Sequence, residues 1–346
     1  VTALPYYSPE AQESLEKLRR EIGVVPSDNG ALQALTEQQT DDALQLLEGD
    51  FSHEPAWPWK ELTDLVGPPL AGELWFICAR PSNGKTTFLM NAMQEYVRQE
   101  VPILYVGMEM PPERLKVQWA SWACGYEYAI VARKQWDRLP SDARDRLRHH
   151  LEWQRSPGVR NLVTFANDER ASMKSIHKWL DAAGKHGIKT VMVDHLHRMA
   201  WGGANVTEKM AEGVIQMKSM AKDRGVRMLV AAQLRRRGGD ILDDYVPPSV
   251  SEIKQTGATE QEADTVILLH RSLKPGLVHG DLAKVRMGSA PMSDIAEDRV
   301  MRVRVGKCRL DGDAKDHDIR LYLGKGVLYG SPESRRMAEW EGEHGL

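Results

Sequence analysis

The chain has 346 residues, 42% of them hydrophobic and 27% charged, with a formal net charge of −3 at pH 7. That length buries at least one full core and favours one large domain with a small appendage; the near-neutral balance excludes a global basic field, so a nucleic-acid partner has to be held by local basic loops. Cys78, Cys124 and Cys308 are far apart and free of C-x-x-C spacing, which excludes a disulfide framework and a zinc ribbon and points to a reducing compartment.

The first predicted element is a short helix, capped by Ser8-Pro9, striped by Ala11, Leu15, Leu18 and Ile22, and stopped by Gly23. The start Val1-Thr2-Ala3-Leu4-Pro5 has no charged region leading into an apolar one, and no run reaches the roughly 18 apolar residues of a membrane span. A soluble, intracellular protein with its initiator Met removed is expected. A second helical stretch, Leu32 to Leu47, breaks near Thr40-Asp41, and Pro55, Pro58, Pro68 and Pro69 punctuate a linker containing Trp57 and Trp59. Residues 1–65 are thus expected to form N-terminal helices and an interface linker, 66–330 the core, and 331–346 a polar, mobile tail.

Inside the core, apolar strand-like runs (Leu74–Cys78, Ile103–Val106, Leu162–Phe165, Thr190–Val193, Arg227–Ala232, Asp264–Leu269) alternate with helical patterns (Thr87–Arg98, Pro112–Ala123, Met173–Gly184, Thr207–Lys222). This rhythm predicts an α/β fold, a mostly parallel sheet covered by helices on both faces, with its ligand site at the carboxyl ends of the strands. Strands at Val300–Val305, Ile319–Leu323 and Val327–Tyr329 have hairpin-like spacing and predict an antiparallel extension.

Ala79-Arg80-Pro81-Ser82-Asn83-Gly84-Lys85-Thr86-Thr87 follows the first of these strands and opens a helix. Such a turn aims backbone N–H groups and the positive end of the helix dipole at one point, so it reads as a phosphate-binding loop in which Ser82 to Thr87 cradle ATP. Lys85 would reach the terminal phosphates and the Thr86 hydroxyl would take a Mg²⁺ position. Asp194 ends an apolar strand, where a carboxylate can position hydrated Mg²⁺. Residue 195 is His rather than Glu, so the general base has to come from another strand, and Glu109 after Ile103–Val106 supplies a carboxylate to polarise the attacking water. Gln233, at the end of a third strand, offers an amide to the γ-phosphate ahead of the basic loop Arg235-Arg236-Arg237-Gly238-Gly239. His195 and His197 alternate as metal ligands would, but lack a third ligand. Met210, Val214, Met217 and Met220 form a core stripe, and Trp201 is open to two readings, stacking on a base or covering core.

These elements in this order resemble the DnaB-type replicative helicases of the RecA-like superfamily, including the helicase halves of phage primase-helicases. Ala79 to Thr87 is similar to the family's P-loop, which also begins with Ala; Glu109-Met110-Pro111 to its second motif; Val193-Asp194 with Leu196 to its third; and Gln233-Leu234 to its fourth. The stretch Ser251 to Asp264 resembles a segment that contacts single-stranded DNA, with Lys254-Gln255 ahead of Gly257 where the family has Arg-Glu. Lys keeps the charge but loses the bidentate fork of Arg. Gly306-Lys307-Cys308-Arg309 is similar to the family's late Lys-x-Arg motif, which implies that Arg309 is an arginine finger reaching a neighbour's γ-phosphate, with Lys307 its partner.

The resemblance, spanning about Leu70 to Leu328, implies an ATP-dependent and Mg²⁺-dependent DNA helicase: a homo-oligomeric ring, hexameric by resemblance, that translocates 5′ to 3′ on single-stranded DNA and splits forked duplex. Arg235, Arg236, Arg237, Lys254, Gln255 and Gly257 would contact DNA, and a primase or a helicase loader is an implied partner. The residues before Ala71 are too few for the family's helical collar or a primase. A linker helix anchored by Leu32, Leu35, Leu44 and Leu47 would dock on the adjacent core or pack on its own. Two rivals stay open, a filament-forming recombinase and a ring-forming ATP switch or docking module that binds DNA without unwinding it.

Overall fold

The computed structural model describes residues 54–133, 136–168, 171–202, 205–235, 247–253, 257–271, 300–310, 312 and 317–344. The two N-terminal helices expected over residues 8–22 and 32–47 lie outside the described residues, as do Arg236, Arg237, Lys254 and Gln255.

Among the described residues nine strands form one sheet, in the order β3-β2-β4-β5-β1-β6-β7-β8-β9. β1 (Leu74–Ala79), β2 (Ile103–Gly107), β3 (Val163–Asn167), β4 (Thr190–Asp194), β5 (Arg227–Gln233) and β6 (Thr265–His270) are parallel, whereas β7 (Val300–Cys308), β8 (Asp318–Gly324) and β9 (Val327–Tyr329) complete the sheet antiparallel. The sequence expectation of a parallel sheet with an antiparallel extension holds. β1 explains why: every residue in it is buried, and alternation sends Trp75, Ile77 and Ala79 to one face and Leu74, Phe76 and Cys78 to the other. A strand apolar on both faces is stable only in the middle of a sheet covered on both sides.

The helices, in chain order, are α1 (Lys60–Val66), α2 (Lys85–Arg98), α3 (Pro112–Ala123), α4 (Tyr128–Ala132), α5 (Ser141–Arg155), α6 (Pro157–Leu162), α7 (Met173–Lys185), α8 (Val206–Arg224), α9 (Gly257–Glu262) and α10 (Pro332–His344). Residues of α1, α2 and α3 join the cluster on the Trp75 face, and those of α7 and α8, including the methionine stripe, join the Phe76 face.

Three differences from the sequence expectation have physical causes. Trp57 and Trp59 are core rather than linker: both are buried, their rings lie 5.7 and 4.6 Å from Phe88, and each indole N–H finds a carbonyl, Gly67 for Trp57 and Leu328 for Trp59. Two indoles with satisfied donors bury more apolar surface than the flanking prolines can forbid. Residues 128–162 hold three helices that the strand-helix rhythm did not suggest, because α5 is charge-rich and presents only Ala143 and Leu147 as its fully buried apolar residues. Gln154 of α5 ties it to α3 by donating to the Lys116 carbonyl at 3.1 Å. Pro332–His344 is helical where a mobile tail was expected, with Ser331 Oγ accepting the Ser334 N–H at 3.1 Å and proline in the first turn.

Candidate nucleotide-binding site

The turn between β1 and α2 is set by residues that leave it little choice. Gly84 adopts φ 89°, ψ 26°, a left-handed conformation that favours glycine, and a Cβ there would press on the tip of the Met301 side chain, 2.4 Å from its Cε. Ser82 is also left-handed, at φ 62°. Buried Asn83 fixes the turn from within: its amide donates to the Pro81 carbonyl at 3.2 Å and its Oδ1 accepts the Arg271 N–H at 3.0 Å, just past β6. The N-terminus of α2 thereby faces a cleft of about 370 Å³ lined by Ser82, Gly84, Lys85, Thr86, Thr87, Glu109, Asp194 and Arg271 among others.

Strand register brings the acids to this cleft. β2 and β4 pair in parallel with Gly107 opposite Asp194, and the Met108 N–H donates to the Asp194 carbonyl at 2.9 Å, so Glu109 emerges beside Asp194. At Gly107 a Cβ would lie 2.8 Å from Leu115 Cδ1 and 3.3 Å from the Met110 carbonyl, which lets the chain turn tightly into α3. The Asp194 carboxylate accepts from the Thr86 hydroxyl at 2.7 Å and from the Tyr105 hydroxyl at 3.0 Å, both on Oδ2. Oδ1 is buried and has no hydrogen-bond partner among the described residues.

Burial dominates the electrostatics. It raises the Asp194 carboxyl above the usual range, against the hydrogen bonds from Thr86 and Tyr105 and the Lys85 charge. It also holds the Lys85 ammonium below the usual lysine range, with Asp194 and Glu109 opposing. A half-buried lysine and a buried carboxylate with an unused oxygen form a site that gains from a polyanion and a cation together. The unused Oδ1 and the Thr86 hydroxyl suit Mg²⁺, which takes one or two protein oxygens and completes its shell with water and phosphate.

His195 sits between the two acids. Its Nδ1 lies 3.6 Å from Glu109 Oε2 and 3.9 Å from Asp194 Oδ1, and burial with the Lys85 charge lowers its pKa to about 4, leaving the ring neutral. His197 Nδ1 accepts the Gln233 N–H at 3.2 Å. Among the described residues no group of three or more His, Cys, Asp or Glu is arranged to hold a metal ion.

Gln233 ends β5 opposite Ala79, at the start of the phosphate loop. Its side chain is half-buried, and it is not among the residues lining the cleft. Trp201 covers core: it is buried, donates to the Leu196 carbonyl at 3.1 Å, and lies where a Cβ on Gly213 would meet its ring at 2.0 Å. The base-stacking alternative is set aside for this conformation. Arg235 and Gly257 are exposed, the latter opening α9.

Lys307 and Arg309 are not brought to this cleft. β6 and β7 pair with Thr265 opposite Cys308, which sets them at the amino end of β6, while Leu269 near its other end lies opposite Ala79. Six residues of strand separate the two ends by roughly 17 Å. At the far end Arg309 donates to the Gln261 carbonyl at 2.6 Å and to Asp264 Oδ1 at 3.3 Å, and Lys307 donates to the carbonyls of Glu260 and Gln261. Burial and the Arg309 charge lower the Lys307 pKa.

Sequence reasoning missed Tyr105, Arg271 and the bridge between Arg80 and Glu252. Tyr105 lies within a strand read as apolar, and its reach to Asp194 depends on register across strands. A basic residue directly after an apolar strand was the available signal for Arg271. Nothing local joins Arg80 to Glu252, 172 positions apart.

Comparison with known proteins bears on the family and the fold. The family model of the DnaB-like helicase C terminal domain matches residues 59–309. The replicative DNA helicase DnaB of Pasteurella multocida (strain Pm70) is 25% identical over 251 residues, covering 68% of this chain and 50% of that protein; the chain spans about half the length of the curated relatives it matches. Among solved structures, an isolated ATPase domain superposes with a TM-score of 0.68 at 17% identity, covering 86% of this chain and 98% of that one. A DnaB-like replicative helicase, described with its interactions with primase, gives 0.66 at 17% identity over 92% of this chain and 75% of that one. At such identities the structures speak for the fold, RecA-like in its order of strands, and the sequence match speaks for the family. The chain belongs to the DnaB-like helicase C-terminal domain family.

Proposed function

We propose that the chain is an ATP-driven DNA helicase, a homo-oligomeric ring, hexameric by family likeness, that moves 5′ to 3′ on single-stranded DNA and splits duplex at forks. The observation that carries this reading is the separation of two groups of charged residues to opposite ends of β6. Lys85, Thr86, Asp194 and Glu109 converge on the cleft, while Lys307 and Arg309 sit at the far end of β6. In this reading a cation so placed acts on a second copy's nucleotide rather than its own, which favours a ring of like subunits.

In this reading Lys85 and the N-terminus of α2 hold the β- and γ-phosphates, with Ser82, Asn83, Gly84 and Thr87 shaping the cradle. Thr86 and Asp194 would hold Mg²⁺, which when bound would supply neutralisation of the phosphate charge. Glu109 takes a proton from the attacking water as that oxygen bonds the γ-phosphorus and the bond to the β-phosphate oxygen breaks, releasing ADP and phosphate. Arg309, with Lys307, stabilises the spread charge of that loose transition state from the neighbouring subunit. Gln233 reports the γ-phosphate to the chain that follows it, and Arg235 to Arg237 with Lys254, Gln255 and Gly257 form the DNA contacts. The DnaB-like structure described with primase supports a primase partner, and the three free cysteines suit a reducing intracellular compartment.

The test is unwinding of a forked duplex carrying either a 5′ or a 3′ tail, with ATP, alongside particle imaging. Closed rings that need the 5′ tail support the proposal. Stimulated hydrolysis without unwinding on either fork replaces it with a translocating or signalling ring, and filaments that pair homologous strands replace it with a recombinase.

A further inference from the structure

The phosphate loop is tied to the turn at Val250–Glu252 by a buried ion pair. Arg80 Nη2 lies 2.8 Å from Glu252 Oε2, with the two side chains 2% and 10% exposed. The other oxygen of the same carboxylate accepts the Ser249 N–H at 3.1 Å, closing a capping box over Val250–Glu252. The Glu252 carbonyl accepts the Arg235 N–H at 2.8 Å, the Ala79 carbonyl accepts the Leu234 N–H at 3.0 Å, and Leu234 bridges Ile253 antiparallel. One residue therefore meets the base of the phosphate loop, the chain leaving β5 after Gln233, and the turn ending five positions before Gly257.

A buried ion pair is a poor way to gain stability, because desolvating two charges offsets most of their attraction and an apolar pair would serve as well or better. What it supplies is direction: guanidinium and carboxylate hold one mutual geometry, so a shift of one is passed to the other. We propose that Glu252 is a positioning residue which, through Arg80, couples the state of the nucleotide cleft to the DNA-contacting segments that begin at Arg235 and lead to Gly257. The inference rests on the functional reading above, in which those segments hold single-stranded DNA.

The experiment uses the full chain and an oligo(dT) probe, measuring ATP turnover with and without the oligonucleotide, and oligonucleotide affinity with ADP or a non-hydrolysable ATP analogue. Glu252→Gln keeps shape and the Ser249 contact while removing the charge facing Arg80. It is expected to hold unstimulated turnover and the KM for ATP near wild type, to cut stimulation by oligo(dT) roughly 2- to 30-fold, and to erase the difference in affinity between the two nucleotides. Glu252→Asp, which restores the charge, should recover part of the stimulation. A folded Glu252→Gln protein with wild-type stimulation overturns the coupling, as does one whose turnover falls equally with and without DNA. Should Glu252→Gln fail to fold, the double variant Arg80→Gln/Glu252→Gln removes both charges, and undiminished stimulation there overturns it too. A wild-type protein that neither binds oligo(dT) nor responds to it refutes the functional reading itself, an outcome read in the wild-type arm alone.

Discussion

The Thr86 hydroxyl donates to Asp194 across 2.7 Å, joining the first turn of α2 to the end of β4 and closing the floor of the cleft. The contact puts two oxygens suited to one hydrated cation side by side, with Asp194 Oδ1 still unused. Thr86→Val should therefore weaken dependence on Mg²⁺ as well as rate. Turnover titrated with MgCl₂ is expected to need more metal and to fall about 10²–10³-fold, the scale of one lost transition-state contact; an unchanged titration removes Thr86 from the metal site.

Lys85 lies in the same cleft with its ammonium held low by burial. Lys85→Ala should abolish hydrolysis, and near-wild-type turnover in that variant removes the phosphate-loop assignment. Glu109, the more exposed of the two acids at 54%, should behave differently. Glu109→Gln is expected to bind ATP with little change while turnover drops about 10²–10⁴-fold, as for a lost general base. Equilibrium binding of a fluorescent ATP analogue beside steady-state turnover separates the two cases.

Arg309 hydrogen-bonds within its own subunit, to Gln261 and Asp264, at the opposite end of β6 from the cleft. Arg309→Ala should retain nucleotide binding, lower turnover by about 10³–10⁵-fold, and poison mixed rings more steeply than its share of subunits. Loss strictly proportional to the mutant fraction would count against action on a neighbour.

Gly213 lies on α8 under the ring of Trp201, where a Cβ would approach within 2.0 Å. Gly213→Ala should lower the melting temperature through overpacking, at a cost of about 1–3 kcal/mol, while the affinity for ATP stays as in wild type. A variant that melts like wild type would show that Trp201 is free to move, reopening its availability to a base.

Asp318 accepts from Arg302 at 2.6 Å and from Arg304 at 2.7 Å across the β7–β8 pair. Partial burial raises its carboxyl, but the two guanidinium groups outweigh that and hold the pKa below the ordinary value. A depressed folded-state pKa gives stability that is present above the unfolded value, near 3.9, and lost as pH falls through the folded one. Urea midpoints across pH 2 to 7 should show Asp318→Asn less stable than wild type at neutral pH by about 1 kcal/mol or less, the gap closing below pH 4. A gap that persists in acid would mean packing, not charge, holds these strands together.

The amino-acid sequence by itself determined the layout of the core. Apolar runs of strand length, interrupted by helical stripes, leave a parallel sheet as the way to bury β1 on both faces, and local backbone rules place Lys85 and Thr86 at a helix start and Asp194 and Glu109 at or just past strand ends. Short-range physics suffices there, because a glycine turn, a helix start and a strand end are each encoded within a few neighbouring residues. What the tertiary structure alone decided lies across long separations. The register of β2 on β4 sets Tyr105 and Glu109 about Asp194, and the crossing of chain segments joins Arg80 to Glu252. Antiparallel pairing of β7 on β6 carries Arg309 away from its own cleft, and aromatic packing draws Trp57 and Trp59 into the core. Such contacts depend on how sheet edges and helix faces meet once apolar surface leaves water, and no local pattern in the chain carries that information.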